Sequence, residues 1–111
     1  MPVTFSGEID LVEVIALLDS GADYCTLPPA ICKDIGLNRV GLKNVTIPGA
    51  TMRFEEYLGK VQIDDIELDR IQVLAVDLAT PEIDALIGRN ILNRLRVELD
   101  GKKRRFLIQD P

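Results

Sequence analysis

The chain has 111 residues, of which 47% are hydrophobic, 28% charged and 5% aromatic, and it contains no tryptophan. We expect one domain, residues 1–111, with a modest core, and the composition is that of a soluble globular protein and not of a disordered chain. A net charge of −5 argues against nucleic acid as a partner, because binding to phosphates requires a basic face.

Several other functions are excluded by what the chain lacks. No segment has the pattern of a signal peptide or the apolar length of a membrane span, so we expect a cytoplasmic protein without a membrane partner. Cys25 and Cys32 have no metal-ligand spacing and the chain has no histidine, so we expect reduced thiols that form no metal site. Without histidine, any hydrolysis must use carboxylates, lysine, tyrosine or a metal.

The first part of the chain predicts a β-hairpin that ends at a carboxylate. Residues 3–5 and 9–18 have strand patterns on either side of Ser6-Gly7-Glu8. The apolar run 14–18 predicts a strand covered on both faces, which stops at Asp19. A carboxylate at the edge of a core must be hydrogen-bonded, paired or protonated, so Asp19 is either a turn cap or a catalytic acid.

The middle of the chain predicts a short strand, a short helix and a series of hairpins. Residues 24–27 form a strand that stops at Pro28-Pro29, and a helix then extends from Pro29 to about Ile35, with Gly36 as its cap. Residues 45–57 predict a hairpin whose Pro48-Gly49 fits a type II turn. Further strands are expected at 61–64, 66–68 and 71–76.

The last part of the chain predicts one more buried strand, a helix and a hairpin. Residues 85–87 form the strand and residues 90–95 the helix. The hairpin pairs 96–99 with 104–108 around Asp100-Gly101. Its basic run, 102–105, fits a solvated edge strand better than a nucleic-acid site.

Two motifs together indicate a family. Asp19-Ser20-Gly21-Ala22 ends one apolar strand, and Ile87-Gly88-Arg89-Asn90 ends another. In this respect the chain resembles the retropepsins, the aspartic proteases of retroviruses and their cellular relatives, and the resemblance covers nearly the whole chain. It implies a mainly β fold, a closed antiparallel β-barrel with one or two short helices.

The resemblance also implies roles for individual residues. Asp19, Ser20 and Gly21 would be catalytic, and Arg89 would brace the active-site loop through Asp23, with Gly88 and Asn90 completing that motif. A second group would contact the substrate, either in the loop or in a flap over the cleft: Ala22, Asp23, Tyr24, Thr26, Pro48, Gly49 and Ala50. The open alternatives are an ordinary surface hairpin for the flap and a surface charge at a helix start for Arg89.

The chemistry of this family requires two carboxylates that share a proton. The chain contains a single Asp-Ser-Gly, so an active enzyme must be a homodimer with one Asp19 from each subunit, acting on a peptide or protein substrate. The resemblance implies no metal or organic cofactor. The alternative function is a catalytically silent dimerisation or peptide-binding module with the same fold, and a third reading is a small β-rich protein in which both motifs are coincidental.

Overall fold

The computed structural model describes residues 1–78, 83–94, 96–100 and 105–109, which contain nine strands and two helices. In chain order these are β1 (Pro2–Ser6), β2 (Leu11–Leu18), β3 (Cys25–Leu27), α1 (Pro29–Asp34), β4 (Asn38–Ile47), β5 (Ala50–Ile63), β6 (Ile66–Ala75), β7 (Ala85–Ile87), α2 (Arg89–Leu92), β8 (Arg96–Asp100) and β9 (Arg105–Gln109).

Six strands close into a barrel in the order β1, β2, β7, β3, β6, β5, and the β1–β5 ladder completes the circle. Closure is possible because β5 is long: its residues 60–62 pair with β1, whereas residues 50–58 pair with β4, which lies outside the ring. The closed barrel with two short helices is therefore confirmed. The expectation of a purely antiparallel barrel is corrected at two ladders, since β2–β7 and β3–β6 are parallel.

The interior of the barrel is apolar. Alternate residues of all six strands point inward, because side chains along a strand alternate between its faces. They meet in one core with a side chain from α1: Val3, Phe5, Val14, Ala16, Cys25, Leu27, Cys32, Val61, Ile63, Val73, Ala85 and Ile87. Both cysteines are free and buried.

The prediction that β2 is covered on both faces is wrong. Val14 and Ala16 lie in the core, but Ile15 and Leu17 are 48% and 47% exposed. A barrel strand has only one inward face, so a continuous apolar run leaves half of its side chains outside. The outer face of β2 therefore exposes Ile15 and Leu17 next to Asp19.

The predicted hairpin around Pro48-Gly49 is confirmed, although both strands are longer than expected. β4 begins at Asn38, and β5 extends to Ile63, so the strand expected at 61–64 is part of it. Ile47 pairs with Ala50 across the two-residue turn, and Gly49 has φ = +84° there, as a type II turn requires of its third residue. Similarly, the two strands expected at 66–68 and 71–76 form the single strand β6.

The helices and the last hairpin follow the prediction closely. α1 begins with Pro29 and is capped at Ile35, whereas α2 covers only Arg89–Leu92, so it begins one residue earlier and also ends earlier than the expected 90–95. β8 pairs with β9 in a separate two-stranded sheet. Leu95 and Gly101, which the predicted helix and turn include, lie outside the described residues. Neither helix in the described part of the chain is long and apolar enough to span a membrane.

Candidate active site

Asp19 lies where two parallel strands end side by side. It follows Leu18, the last residue of β2, and Leu18 pairs with Ile87 at the end of β7. The backbone N–H of Asp19 donates to the carbonyl of Ile87 over 3.0 Å. The two apolar motifs that are far apart in sequence are therefore joined at the residue that carries the carboxylate.

The loop after β2 orients the Asp19 side chain. The N–H of Gly21 donates to Asp19 Oδ1 over 2.9 Å, and the N–H of Ala22 donates to the Asp19 carbonyl over 3.2 Å. Asp19 is half-buried, and Ser20 and Gly21 are exposed beside it. The carboxylate is thus both a turn cap and open to solvent, so the turn-cap role and a catalytic role are compatible.

The start of α2 holds the second half of this loop. The N–H groups of Arg89 and Asn90 donate to the carbonyls of Ala22 and Asp23 over 2.7 and 3.2 Å. In addition, Arg89 Nη2 donates to Asp23 Oδ1. Helix N-terminal N–H groups have no partner within the helix, so here the loop carbonyls satisfy them.

Gly88 permits the close contact between α2 and the loop. A Cβ atom at this position would lie 2.5 Å from the carbonyl oxygen of Tyr24 and 2.8 Å from its nitrogen. Backbone atoms cannot yield as a flexible side chain can, so a larger residue would push α2 away from the loop.

Beneath the loop, Asn90 of α2 joins two strands, β3 and β6. Its Nδ2 donates to the carbonyl of Gln72 on β6 over 2.9 Å, and its Oδ1 accepts from Cys25 Sγ over 3.3 Å. Burial raises the pKa of Cys25 to about 12, so its thiol is protonated and inert. Thr26 is 8% exposed and its Oγ1 accepts from the N–H of Leu86 over 3.1 Å. The hydroxyl of Thr26 is thus structural, and its role in a substrate pocket stays a prediction.

The β4–β5 hairpin approaches the loop through a residue that the sequence analysis did not single out. Lys43 Nζ on β4 lies 4.8 Å from the centre of the Tyr24 ring. Its interaction with Tyr24 and, less strongly, the charge of Glu56 raise the pKa of Lys43. Pro48, Gly49 and Ala50 are exposed at the far tip. The face of the hairpin that carries Lys43 is therefore turned toward the active-site loop.

Chemically, the arrangement offers an oriented and accessible carboxylate at the end of a rigid strand. No group of three metal-ligating side chains lies together within the described residues. Asp23, the other carboxylate of the loop, is engaged by Arg89. The signal that would have pointed to Lys43 is the alternation along β4 and β5, in which Lys43 pairs with Phe54 on one face of the hairpin.

Comparisons with known proteins identify the family and the fold. A family model described as aspartyl protease matches residues 1–91, which include the barrel and both motifs. The solution structure of the simian foamy virus (mac) protease is similar, with a TM-score of 0.56 and 15% identity over 84% of this chain and 92% of that chain. At this sequence identity the structural likeness shows the fold alone. A search of curated proteins found no match. The chain therefore belongs to the aspartyl protease family and has the retropepsin-like fold.

Proposed function

We propose that the protein is an aspartic endopeptidase, in which Asp19 from each subunit of a homodimer activates the water that hydrolyses a peptide bond. The observation that carries this proposal is the placement of Asp19 at the joined ends of β2 and β7, with its carboxylate oriented by the Gly21 N–H. Membership of the aspartyl protease family supports it.

The mechanism uses two carboxylates that hold one proton between them. The ionised carboxylate accepts a proton from the bound water, which attacks the peptide carbonyl carbon, while the protonated carboxyl donates to the carbonyl oxygen. The resulting tetrahedral diol collapses when the leaving nitrogen is protonated, and the C–N bond breaks. The Gly21 N–H keeps Asp19 Oδ1 in place during these transfers.

The second carboxylate must come from another subunit, since the chain contains a single Asp-Ser-Gly. A two-fold axis between the two loops would bring the Asp19 side chains together and allow Ser20, exposed next to Asp19, to hydrogen-bond across the axis. Within the described residues β9 pairs only with β8, so this small sheet is available for strand pairing between subunits.

The substrate in this proposal is an extended peptide or protein segment that lies between the active-site loops and the β4–β5 hairpins. Ala22 and Asp23 would bind its backbone, and Tyr24 and Thr26 would line side-chain pockets. Pro48, Gly49 and Ala50 would form the tip of a flap over it. We expect the enzyme to act in the cytoplasm.

The test is cleavage of unfolded proteins and peptide mixtures, followed by mass spectrometry over a series of pH values. We expect cleavage by the wild type that an aspartic protease inhibitor blocks and that Asp19→Asn abolishes. Asp65→Asn changes an exposed carboxylate in the turn between β5 and β6 and is the matched control. Activity that survives Asp19→Asn would contradict the proposal. A dimer that binds peptides without cleaving them would instead support the silent peptide-binding module.

A further inference from the structure

Glu56 on β5 is a buried carboxylate with an unsatisfied oxygen. Its residue is 9% exposed, and Oε2 is buried without a hydrogen-bond partner. None of the ion pairs among the described residues includes it. Burying an unpaired carboxylate is strongly unfavourable, so a native structure that does so calls for a specific explanation.

The register of the sheet places Glu56 on the outer face of the barrel, in a row that leads to the active site. Glu56 lies opposite Leu74, Leu74 opposite Thr26, and Thr26 opposite Leu86. Leu86 in turn lies opposite Leu17, two residues before Asp19. Residues directly opposite each other in a ladder share one face of the sheet, so these five side chains form a continuous strip, which we call the outer row.

The β4–β5 hairpin continues this outer row, because Glu56 also lies opposite Gly41 on β4. Phe54 lies two residues before Glu56 and opposite Lys43, so these three side chains share one face of the hairpin. Because Lys43 lies over the ring of Tyr24, that face is turned toward the loop that follows Asp19. Glu56 therefore lies at the base of the hairpin, on the face that is turned toward the proposed substrate cleft.

We propose that Glu56 is a specificity-determining residue that selects a lysine or arginine side chain of the bound peptide. This inference rests on the proposed function, since it assumes that peptides bind in this cleft. Leu86, which is partly exposed, and Leu17, which is 47% exposed, give the outer row an apolar surface for the methylene stem of a long basic side chain. The ammonium or guanidinium at its end would donate to the Glu56 oxygen that has no partner.

Lys43 is a cation of the protein itself that competes with the basic side chain of the peptide for the Glu56 carboxylate. It is close enough for the charge of Glu56 to raise its pKa, yet it forms no ion pair with Glu56 and is held over Tyr24 instead. The Lys43 ammonium is partly exposed and keeps its hydration, whereas Glu56 Oε2 is buried. The carboxylate is therefore left for a cation that enters from the cleft.

The test compares the cleavage of peptides that are identical except at one position. That position carries lysine, arginine, leucine or glutamate, and each position around the cleaved bond is varied in turn. For one position, we expect kcat/KM of the wild type to be about tenfold or more higher with a basic residue than with leucine, as a charge-assisted hydrogen bond provides. Glu56→Gln keeps the shape and removes the charge, so the ratio of kcat/KM for the basic peptide to kcat/KM for the leucine peptide should fall toward one. Glu67→Gln, an exposed carboxylate on β6, is the matched control and should keep the preference.

Binding of the same peptides to Asp19→Asn separates this inference from the proposed function. Cleavage without a basic preference would overturn the role of Glu56 and leave the protease intact. Binding that favours basic peptides and depends on Glu56, without any cleavage, would support Glu56 and refute the catalytic proposal. A preference that appears only in Lys43→Met would overturn the inference, because Lys43 would then occupy the carboxylate in the wild type. A protein that binds none of the peptides would refute both.

Discussion

Arg89 and Asp23 are 66 residues apart in sequence and form an ion pair at the active-site loop. Their side chains are 52% and 63% exposed, and pairs of this kind contribute about 0–1 kcal/mol to stability. The adjacent backbone hydrogen bond, from the N–H of Arg89 to the carbonyl of Ala22, also ties the helix to the loop. The guanidinium therefore has more influence on the orientation of the loop than on the stability of the barrel.

We predict that Arg89→Lys lowers dimer affinity and activity but changes the free energy of unfolding by less than about 1 kcal/mol. An ammonium cannot reproduce the planar donor pattern of a guanidinium, so the loop would lose its fixed orientation. A loss of about ten- to hundredfold in kcat/KM is expected from such a misplacement. Arg39→Lys, which alters an exposed pair with Glu55 at 4.0 Å, is the control and should have no effect.

A double-mutant cycle with Asp23→Asn tests whether the two residues act together. Coupling in activity between Arg89→Lys and Asp23→Asn would support the brace. If the two effects simply add, Arg89 is a surface charge at the start of α2 and the brace hypothesis is wrong.

Two glycines of the active-site motifs should respond differently to the same substitution. Gly88→Ala places a methyl group within 2.8 Å of the backbone of Tyr24, so we expect a loss of about 1–3 kcal/mol or more in the free energy of unfolding. Gly21→Ala meets only Asp19 Oδ1, at 3.2 Å. Its stability should be nearly unchanged while its activity falls, because the catalytic carboxylate is displaced. Urea unfolding and peptide cleavage measure the two effects, and equal loss of stability in both variants would contradict this assignment.

The sequence was sufficient to predict most of the strands and helices in order, because alternation and turn residues determine them locally, whereas the barrel followed from the family resemblance. Pro48-Gly49 fixed the hairpin turn, and Pro29 fixed the start of α1. The boundaries of β4 and β5 were less predictable, since Arg39 and Gly41 interrupt the pattern at a register shift. The exposure of Leu17 could not be predicted, because an apolar run does not reveal which of its faces meets the core.

The candidate site was predictable in part. The two motifs indicated the loop and α2, and the pairing of Arg89 with Asp23 followed from the family resemblance. Alternation along β4 and β5 assigns Lys43 to one face of the hairpin, but it does not show that this face, or Glu56 on it, lies near the active-site loop. The placement of these two residues depends on ladder partners far away in sequence, such as Leu74 opposite Glu56, and these become known only from the fold.

The buried thiol of Cys25 should make the protein less stable at alkaline pH. Burial raises its pKa from 9.0 to about 12, and a hydrogen bond with the backbone of Gly88 opposes that shift only in part. The folded state therefore retains a proton that the unfolded chain loses near pH 9. This contribution to stability is fully present below pH 9 and is lost as the pH rises toward 12.

Urea unfolding of the wild type and of Cys25→Ala between pH 7 and 11 tests this. The wild type should lose stability more steeply above pH 9, by on the order of 1 kcal/mol per pH unit. Part of the slope should remain in the variant, because the pKa of Cys32 is raised to about 11 and that of Tyr57 to about 12. Identical slopes would show that Cys25 is not the group that titrates.

The β8–β9 sheet is the predicted element of dimerisation. It forms no ladder with the barrel within the described residues, and its strand β9 contains the apolar sequence Phe106-Leu107-Ile108. We expect sedimentation at tens of micromolar to show a homodimer, and deletion of residues 105–111 to give a folded monomer without activity. The barrel strands β1 to β7 remain complete in that variant. A deletion variant that is still dimeric would place the interface elsewhere.

The last prediction concerns the charge of Asp19 at the subunit interface. Two carboxylates that meet at a two-fold axis remain close while they share one proton, because two adjacent negative charges repel each other. Raising the pH removes that proton, so the wild-type dimer should weaken as the pH rises from acid to neutral. The Asp19→Asn side chain cannot ionise, and its dimer should be inactive but less sensitive to pH.

Dimer dissociation constants of both proteins, measured by sedimentation across this range, provide the comparison. The ratio of the wild-type constant to that of Asp19→Asn should rise by up to about tenfold for each pH unit over which the shared proton is lost. Asp65→Asn controls for a general change in net charge, and it should follow the wild type. If Asp19→Asn and the wild type weaken in parallel, the two Asp19 side chains do not meet, and the shared-proton mechanism has no basis in this protein.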